Sequence, residues 1–214
     1  MAYTVDLPFL PERTEKPRKS GLTMVMDKGI SLRQAEDMVE SSADFIDYVK
    51  FGFGTSVISK NLKEKIKLYQ KNNIKVYLGG TLFEAFVIRN KFEDYIKFIS
   101  SLGIDSAEVS DGSINIDHDK KWEFIHKLSK NFTVLSEVGS KEEGVIIHPA
   151  RWIKMMQAEL DAGSVQVIAE ARESGNVGIF HKNGSAHTLL INRIVNKIRL
   201  ENIIWETPQK PQQV

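Results

Sequence analysis

The pattern that decides the fold is clearest in residues 46–56, which have the sequence IDYVKFGFGTS. A short run of apolar and β-branched residues that ends in glycines is typical of a buried β-strand followed by a turn. The same pattern recurs along the chain at intervals that leave room for a helix between successive strands. We predict strands at residues 22–26, 46–51, 75–78, 106–110, 132–137, 165–169 and 203–206.

The segments between these strands have the apolar spacing of amphipathic helices. Apolar residues recur every three or four positions, as in Leu62, Ile66 and Tyr69, which places them on one helical face. Ser31 and Gln34 predict a capping box at the start of the first helix, which is expected to end near Ser42. Strands and helices that alternate in this way indicate βα units and a parallel sheet.

The predicted fold class is α/β, a (β/α)8 TIM-type barrel whose last helix and eighth strand are missing from this chain. Strands of βα type with no long insertion between them favour a closed barrel, and an open doubly wound sheet is the alternative. Residues 1–20 contain three of the six prolines and are expected to form an N-terminal arm. Residues 21–214 are expected to form a single barrel domain that is truncated at its C-terminal end.

The composition limits the possible functions. Lys and Arg total 29 against 28 Asp and Glu, so the chain lacks the basic surplus that favours nucleic acid or a membrane surface. The chain has no cysteine, which excludes disulfides, thiolate metal sites and thiol catalysis. Its polar start does not fit a signal peptide, and no stretch approaches the ~18 apolar residues of a membrane span. We therefore expect a cytoplasmic protein with no nucleic-acid or membrane partner.

Acidic residues stand where the predicted strands end. The active sites of α/β barrels lie at the carboxyl ends of the strands, and strands four to seven each have a glutamate at or near that end. Carboxylates that lie close together repel one another, so they imply a cation, a shared proton or basic partners. Mg²⁺ prefers such hard oxygen ligands, whereas the alternative is an ion-pair network with nearby lysines. The candidate metal ligands are Glu108, Glu137, Glu170 and Asp27.

Basic and small residues at the same strand ends predict an anionic substrate. Arg172 can bind a phosphate or carboxylate through two parallel N–H groups. Lys50 interrupts an apolar run and is expected at an inward position of its strand. The candidate catalytic residues are Lys28, Lys50 and Lys141, and the candidate substrate-binding residues are Arg172, Ser174, Gly79, Gly80 and Ser110.

Taken together, the strand-end segments resemble the phosphosulfolactate synthase family. They occur in order along the chain as GLTMVMDKG (21–29), DYVKFGFGTS (47–56), VYLGGTLFE (76–84), EVSDGS (108–113), SEVG (136–139), EARESG (170–175) and ETPQK (206–210). The resemblance implies a lyase that adds sulfite to phosphoenolpyruvate with Mg²⁺, giving (2R)-2-O-phospho-3-sulfolactate. This product leads to coenzyme M in archaea and to sulfolactate in some bacteria. The resemblance also implies a proton-donating lysine after the fifth strand, which by position is Lys141, and we expect a homo-oligomer.

The chemistry that the resemblance implies is consistent with these residue types. Sulfite attack at C3 of the enol phosphate moves charge onto the substrate carboxylate, where a divalent cation can stabilise an enediolate-like intermediate. A lysine can then protonate C2. Two alternatives stay open: another barrel lyase or aldolase that acts on a small phosphorylated acid, with Lys50 or Lys141 as Schiff-base nucleophile, and a non-catalytic relative linked to heat-stress tolerance.

Overall fold

Short parallel strands alternate with helices along the chain, as the sequence pattern predicts. A computed structural model describes residues 8–9, 14–139 and 147–213. The strands are β1 (Met24–Asp27), β2 (Tyr48–Phe51), β3 (Lys75–Leu78), β4 (Ser106–Val109), β5 (Thr133–Val138), β6 (Gln166–Ala169) and β7 (Ile203–Trp205). The α-helices are α1 (Leu32–Ser42), α2 (Leu62–Lys71), α3 (Gly80–Val87), α4 (Phe92–Ser101), α5 (His118–Ser129), α6 (Pro149–Asp161) and α7 (Thr188–Val195). Short 3₁₀ segments lie at Ala43–Phe45, Thr55–Val57, Leu200–Asn202 and Lys210–Gln212.

The strands lie side by side in the order of the sequence. β1, β2 and β3 pair in parallel, as do β4, β5, β6 and β7, and β3 contacts β4 between the two groups. A doubly wound sheet would reverse its strand order at a switch point, and no such reversal occurs among the described strands. The predicted (β/α) barrel is therefore confirmed, with seven of the eight strands of a complete barrel present in the described residues.

The barrel interior is filled by one apolar layer. Side chains from β1, β2, β3, β5, β6 and β7 pack into a single cluster, so the first and last strands share a core. The opposite faces of the strands pack against the helices in two larger clusters. The members of the interior layer are Met24, Tyr48, Tyr77, Leu135, Ile168 and Ile204, with Leu22 beside them.

Several local predictions can be compared with the structure. The capping box at α1 is present, because Ser31 accepts the N–H of Gln34 and the side chain of Gln34 accepts the N–H of Ser31. α3 is not among the predicted helices, because residues 79–81 were interpreted only as the end of the third strand. The described part of the N-terminal arm packs on the barrel, where Arg18 pairs with Asp47 at 2.9 Å. No helix in the described ranges is long and apolar enough to cross a bilayer.

Candidate active site

Along several strands, one inward-facing residue is apolar and the next inward-facing residue is charged. Side chains alternate between the two faces of a strand, so residues two positions apart share a face. The charged residues line one cavity of about 680 Å³ at the carboxyl ends of the strands. Four residues of the apolar layer each have a charged cavity residue two positions later. The pairs are Tyr48 and Lys50, Leu135 and Glu137, Ile168 and Glu170, and Ile204 and Glu206.

Glu137, Glu170 and Glu206 form a carboxylate cluster in this cavity. Each side chain offers one oxygen, and the three oxygens lie within 4.8 Å of one another. Glu137 and Glu170 are buried, and the side chain of Glu206 is 11% exposed. Within residues 14–139 and 147–213, this is the one group of three or more possible metal ligands with such spacing. The cluster is therefore the strongest candidate for a cation site among the described residues.

Lys50 is the cationic side chain beside the cluster. Its Nζ lies 3.4 Å from Glu206 Oε1, 3.6 Å from Glu137 Oε2 and 3.0 Å from Glu108 Oε2. Burial lowers the pKa of the Lys50 ammonium, but the three carboxylates together outweigh burial and the pKa is raised well above its ordinary value. Lys50 therefore carries a positive charge into the floor of the cavity.

Glu108 is held by two groups outside the cluster. Its Oε2 faces Lys50, and its Oε1 accepts the N–H of Gly80 at 2.6 Å. Gly80 is the first residue of α3, where backbone N–H groups lack partners within the helix and carry partial positive charge. A Cβ at Gly80 would lie 2.4 Å from the Cβ of Ser110, so only glycine allows this approach. Burial raises the pKa of Glu108, while Lys50 opposes that rise.

The loop after β6 presents Arg172 at the rim of the cavity. The φ angle of Arg172 is 56°, a left-handed conformation that few residues other than glycine adopt. Its backbone N–H donates to Glu170 Oε1 at 2.8 Å, and the N–H of Ala171 donates to Glu206 Oε2 at 3.2 Å. Two carboxylates of the cluster thus also hold the loop that carries the arginine.

The chain matches one known family over most of its length. The sequence profile of the (2R)-phospho-3-sulfolactate synthase (ComA) family matches residues 11–214. The chain belongs to the phosphosulfolactate synthase family. The resemblance seen in the strand-end segments is thereby confirmed, and the family is one of enzymes of the lyase class.

Curated relatives match almost the whole chain. A phosphosulfolactate synthase of Methanothermobacter thermautotrophicus is 40% identical over 210 residues, which cover 95% of this chain and 81% of that protein. A phosphosulfolactate synthase of Bacillus subtilis is 35% identical over 204 residues, covering 94% and 81% of the two chains. Among solved structures, 3-hexulose-6-phosphate synthase from Salmonella typhimurium aligns with a TM-score of 0.52 and 14% identity over 86% of this chain and 77% of that one. This last likeness supports the fold alone.

Most of the predicted site residues lie together. Eight of them line the same cavity, four on strands or strand ends and four on the loops and helix start around them. Lys141 and its neighbours lie outside the described residues. The eight are Lys50, Gly79, Gly80, Glu108, Glu137, Glu170, Arg172 and Ser174.

Asp27 does not lie in the cavity, contrary to its prediction as a metal ligand. Its carboxylate accepts hydrogen bonds from Lys65 at 2.7 Å, from Tyr69 at 3.1 Å and from the N–H groups of Gly29 and Ile30. It follows the inward residue Met26, so the alternation of the strand turns it to the outer, helix-covered side. Asp27 therefore fixes the loop after β1 and is not part of the carboxylate cluster.

Two further predicted residues lie away from the cavity lining. Ser110 is fully buried and its hydroxyl donates to Glu84 behind β4, so it faces α3 and not the cavity. Lys28 is half exposed and pairs with Glu173 at the outer rim, where it lines a separate, smaller cavity. The prediction of substrate-binding or catalytic roles for these two residues is not supported by their positions.

Glu206 was not among the predicted metal ligands, although the structure puts it in the cluster. The sequence does carry a signal, because Glu206 ends the seventh strand as Glu108, Glu137 and Glu170 end the three before it. Its inward orientation follows from Ile204, two positions earlier, which belongs to the interior layer. The candidate ligand set therefore includes Glu206 and no longer includes Glu108.

Proposed function

We propose that this protein catalyses the Mg²⁺-dependent addition of sulfite to phosphoenolpyruvate to give (2R)-2-O-phospho-3-sulfolactate. Family membership supports the overall reaction. The observation that carries the proposal is the buried carboxylate cluster beside Lys50 and Arg172 in one cavity. Such a cavity combines a cation site with side chains that bind anions.

The oxygen ligands in the cavity favour a divalent cation. Glu137, Glu170 and Glu206 each offer one carboxylate oxygen, and the three oxygens lie within 4.8 Å of one another. Converging carboxylates of this kind are suited to Mg²⁺, which is usually held by one or two carboxylates, substrate oxygens and water. Both substrates are anions, so a bound cation would also attract them. The residues present therefore fit this metal, and Glu137, Glu170 and Glu206 would hold it.

The side chains of this protein then have separate roles. Arg172 at the rim binds the phosphate or carboxylate of phosphoenolpyruvate through its planar guanidinium, and Lys50 supplies positive charge at the floor. When bound, Mg²⁺ would supply the charge that stabilises negative charge developing on the substrate carboxylate during sulfite attack. Lys141, which follows β5 in the sequence, donates the proton to C2, a role that the family resemblance supports.

The decisive experiment is a direct assay of the purified protein. The protein is incubated with phosphoenolpyruvate, sulfite and Mg²⁺, and the phosphorus resonances are followed by ³¹P NMR. We expect a new phosphate ester resonance that requires all three additions and is abolished by EDTA. Turnover of phosphoenolpyruvate without sulfite, or covalent trapping of a keto acid by borohydride, would instead favour an aldolase with a Schiff-base lysine.

A further inference from the structure

A second group of buried charges lies behind the cavity, on the outer face of β5. Lys121 of α5 is fully buried, which is rare for a lysine because removing an ammonium from water costs several kcal/mol. If this residue only packed α5 against the sheet, an apolar side chain would do so without that cost. The burial of Lys121 therefore needs a reason in its contacts.

Lys121 uses all three of its N–H donors on three different parts of the barrel. Its Nζ lies 2.8 Å from Asp111 Oδ1, 2.8 Å from Glu159 Oε1 and 2.6 Å from the backbone carbonyl oxygen of Glu137. Asp111 is in the loop after β4, Glu159 is in α6 and Glu137 is near the end of β5. One ammonium thus joins two neighbouring strand ends to a helix.

These contacts act directly on the carboxylate cluster. Glu137 presents its carboxylate to the cavity and its carbonyl oxygen to Lys121, so a bond to the carbonyl fixes the backbone from which the carboxylate projects. Asp111 lies two residues before Ser113, which also lines the cavity. Groups that hold a metal ligand from behind commonly set the direction of its side chain and the affinity of the site.

We propose that Lys121 is a positioning residue that holds Glu137 and the loop after β4 in the geometry that the carboxylate cluster requires. The proposal rests on the proposed function, since it assumes that the cluster binds Mg²⁺. Lys121 itself stays on the far side of β5 and touches no substrate.

Lys65 offers a matched control elsewhere in the barrel. It is 1% exposed, lies on α2, pairs with Asp27 at 2.7 Å and donates to the carbonyl oxygen of Ile30 at 2.9 Å. It therefore has the same burial and the same kinds of partner as Lys121. None of its partners lines the cavity.

The test compares Lys121→Met and Lys65→Met with the unaltered protein. Mg²⁺ affinity is measured by isothermal titration calorimetry without substrates, and the unfolding midpoint is measured in EDTA. We expect both variants to lose stability, since each leaves a buried carboxylate unpaired. Lys121→Met should also raise the Mg²⁺ dissociation constant about 10- to 100-fold, whereas Lys65→Met should change it less than about twofold.

Equal Mg²⁺ affinities in the two variants would overturn the proposal and leave Lys121 a purely structural residue. If Lys121→Met does not fold, the double variant Lys121→Met, Glu159→Gln neutralises the more deeply buried of the two carboxylates that lose the lysine and still deprives the Glu137 carbonyl of its donor. The same loss of Mg²⁺ affinity is expected there, and an unchanged affinity contradicts the proposal. An unaltered protein that binds Mg²⁺ but gives no product in the ³¹P assay refutes the proposed function alone, whereas one that binds no Mg²⁺ refutes both.

Discussion

Lys50 pairs with three of the carboxylates that line the cavity. Its ammonium lies within 3.6 Å of Glu108, Glu137 and Glu206, and it is 5% exposed. Carboxylates that are withdrawn from water tolerate one another only when a cation lies among them. Lys50 therefore holds the site together before any substrate arrives.

Replacing Lys50 by methionine should destabilise the whole protein. Breaking a buried ion pair from one side costs roughly 3–5 kcal/mol, because the carboxylates stay buried and lose the charge of the lysine. We expect a loss of that order in the free energy of unfolding, measured by urea titration in EDTA. The double variant Lys50→Met, Glu108→Gln should recover part of the loss, since the carboxylate that lies nearest to Lys50 is then neutral. A Lys50→Met protein as stable as the unaltered one would contradict this account of the site.

Lys141 is expected to act on the chemical step alone. Loss of a general acid typically lowers turnover by about 10²- to 10⁴-fold, with little change in substrate binding. Lys141→Met should therefore lower kcat by that factor and leave KM for phosphoenolpyruvate nearly unchanged in steady-state assays. Lys28→Met is the control, because Lys28 is half exposed and paired with Glu173 at the rim. A near-normal kcat in Lys141→Met would remove Lys141 from the mechanism.

At the scale of single elements, the strands were predictable and α3 was not. Each strand is a short apolar run, and the alternation within it was enough to predict the inward position of Lys50. α3 begins at Gly79 and Gly80, which have no side chain to cap a helix, and the missing partner is Glu108, 28 residues further along the chain. Asp27 was placed wrongly because strand-end position was weighed above the alternation of its strand.

The segment after β7 contacts the connection between β6 and α7, which carries Arg172. Gln212 Nε2 donates to the carbonyl oxygens of Gly175 at 2.7 Å and Gly184 at 3.1 Å. Both carbonyls belong to the long connection between β6 and α7, which also carries Arg172. These two hydrogen bonds thus restrain the loop that presents Arg172 to the cavity.

Removing these hydrogen bonds should weaken substrate binding more than it lowers the stability of the fold. Gln212→Ala removes both hydrogen bonds, and each contributes about 1 kcal/mol. We expect a rise of several-fold in KM for phosphoenolpyruvate, faster proteolysis between residues 172 and 187 and a nearly unchanged unfolding midpoint. Gln213→Ala is the matched control, because Gln213 donates only locally, to the carbonyl of Thr207. Equal KM values in the two variants would show that these hydrogen bonds have no part in binding.

At the scale of the whole molecule, the barrel divides into an apolar half and a charged half. The apolar layer joins strands from both ends of the chain, and Lys50 of β2 meets Glu206 beyond β7 at 3.4 Å on the charged side. Sequence alone predicted the strands and their parallel order, since these follow from local patterns. Which charges pair across the barrel depends on strand tilt and loop conformation, which no local pattern contains.

Because the charged half joins side chains of strands that are far apart in the sequence, from Lys50 of β2 to Glu206 after β7, Mg²⁺ should stabilise the entire fold. A ligand that binds only the folded state at 100 times its dissociation constant adds about 2.7 kcal/mol. For a chain of this size, each kcal/mol raises the unfolding midpoint by about 2–4 °C, so we expect a rise of roughly 5–10 °C in calorimetry. The same ionic strength supplied as NaCl should give a much smaller rise, since it only screens the repulsion between carboxylates.

Glu170→Gln separates specific binding from screening in the same experiment. The glutamine keeps an oxygen that can accept the N–H of Arg172, so the loop after β6 retains its contact while the cluster loses one negative charge. The unfolding midpoint of this variant in EDTA serves as the reference for the effect of each salt. Its midpoint should then respond to Mg²⁺ no more than to NaCl. If Mg²⁺ still raised the midpoint of Glu170→Gln by the full amount, the ion would be binding elsewhere and the carboxylate cluster would not be the metal site.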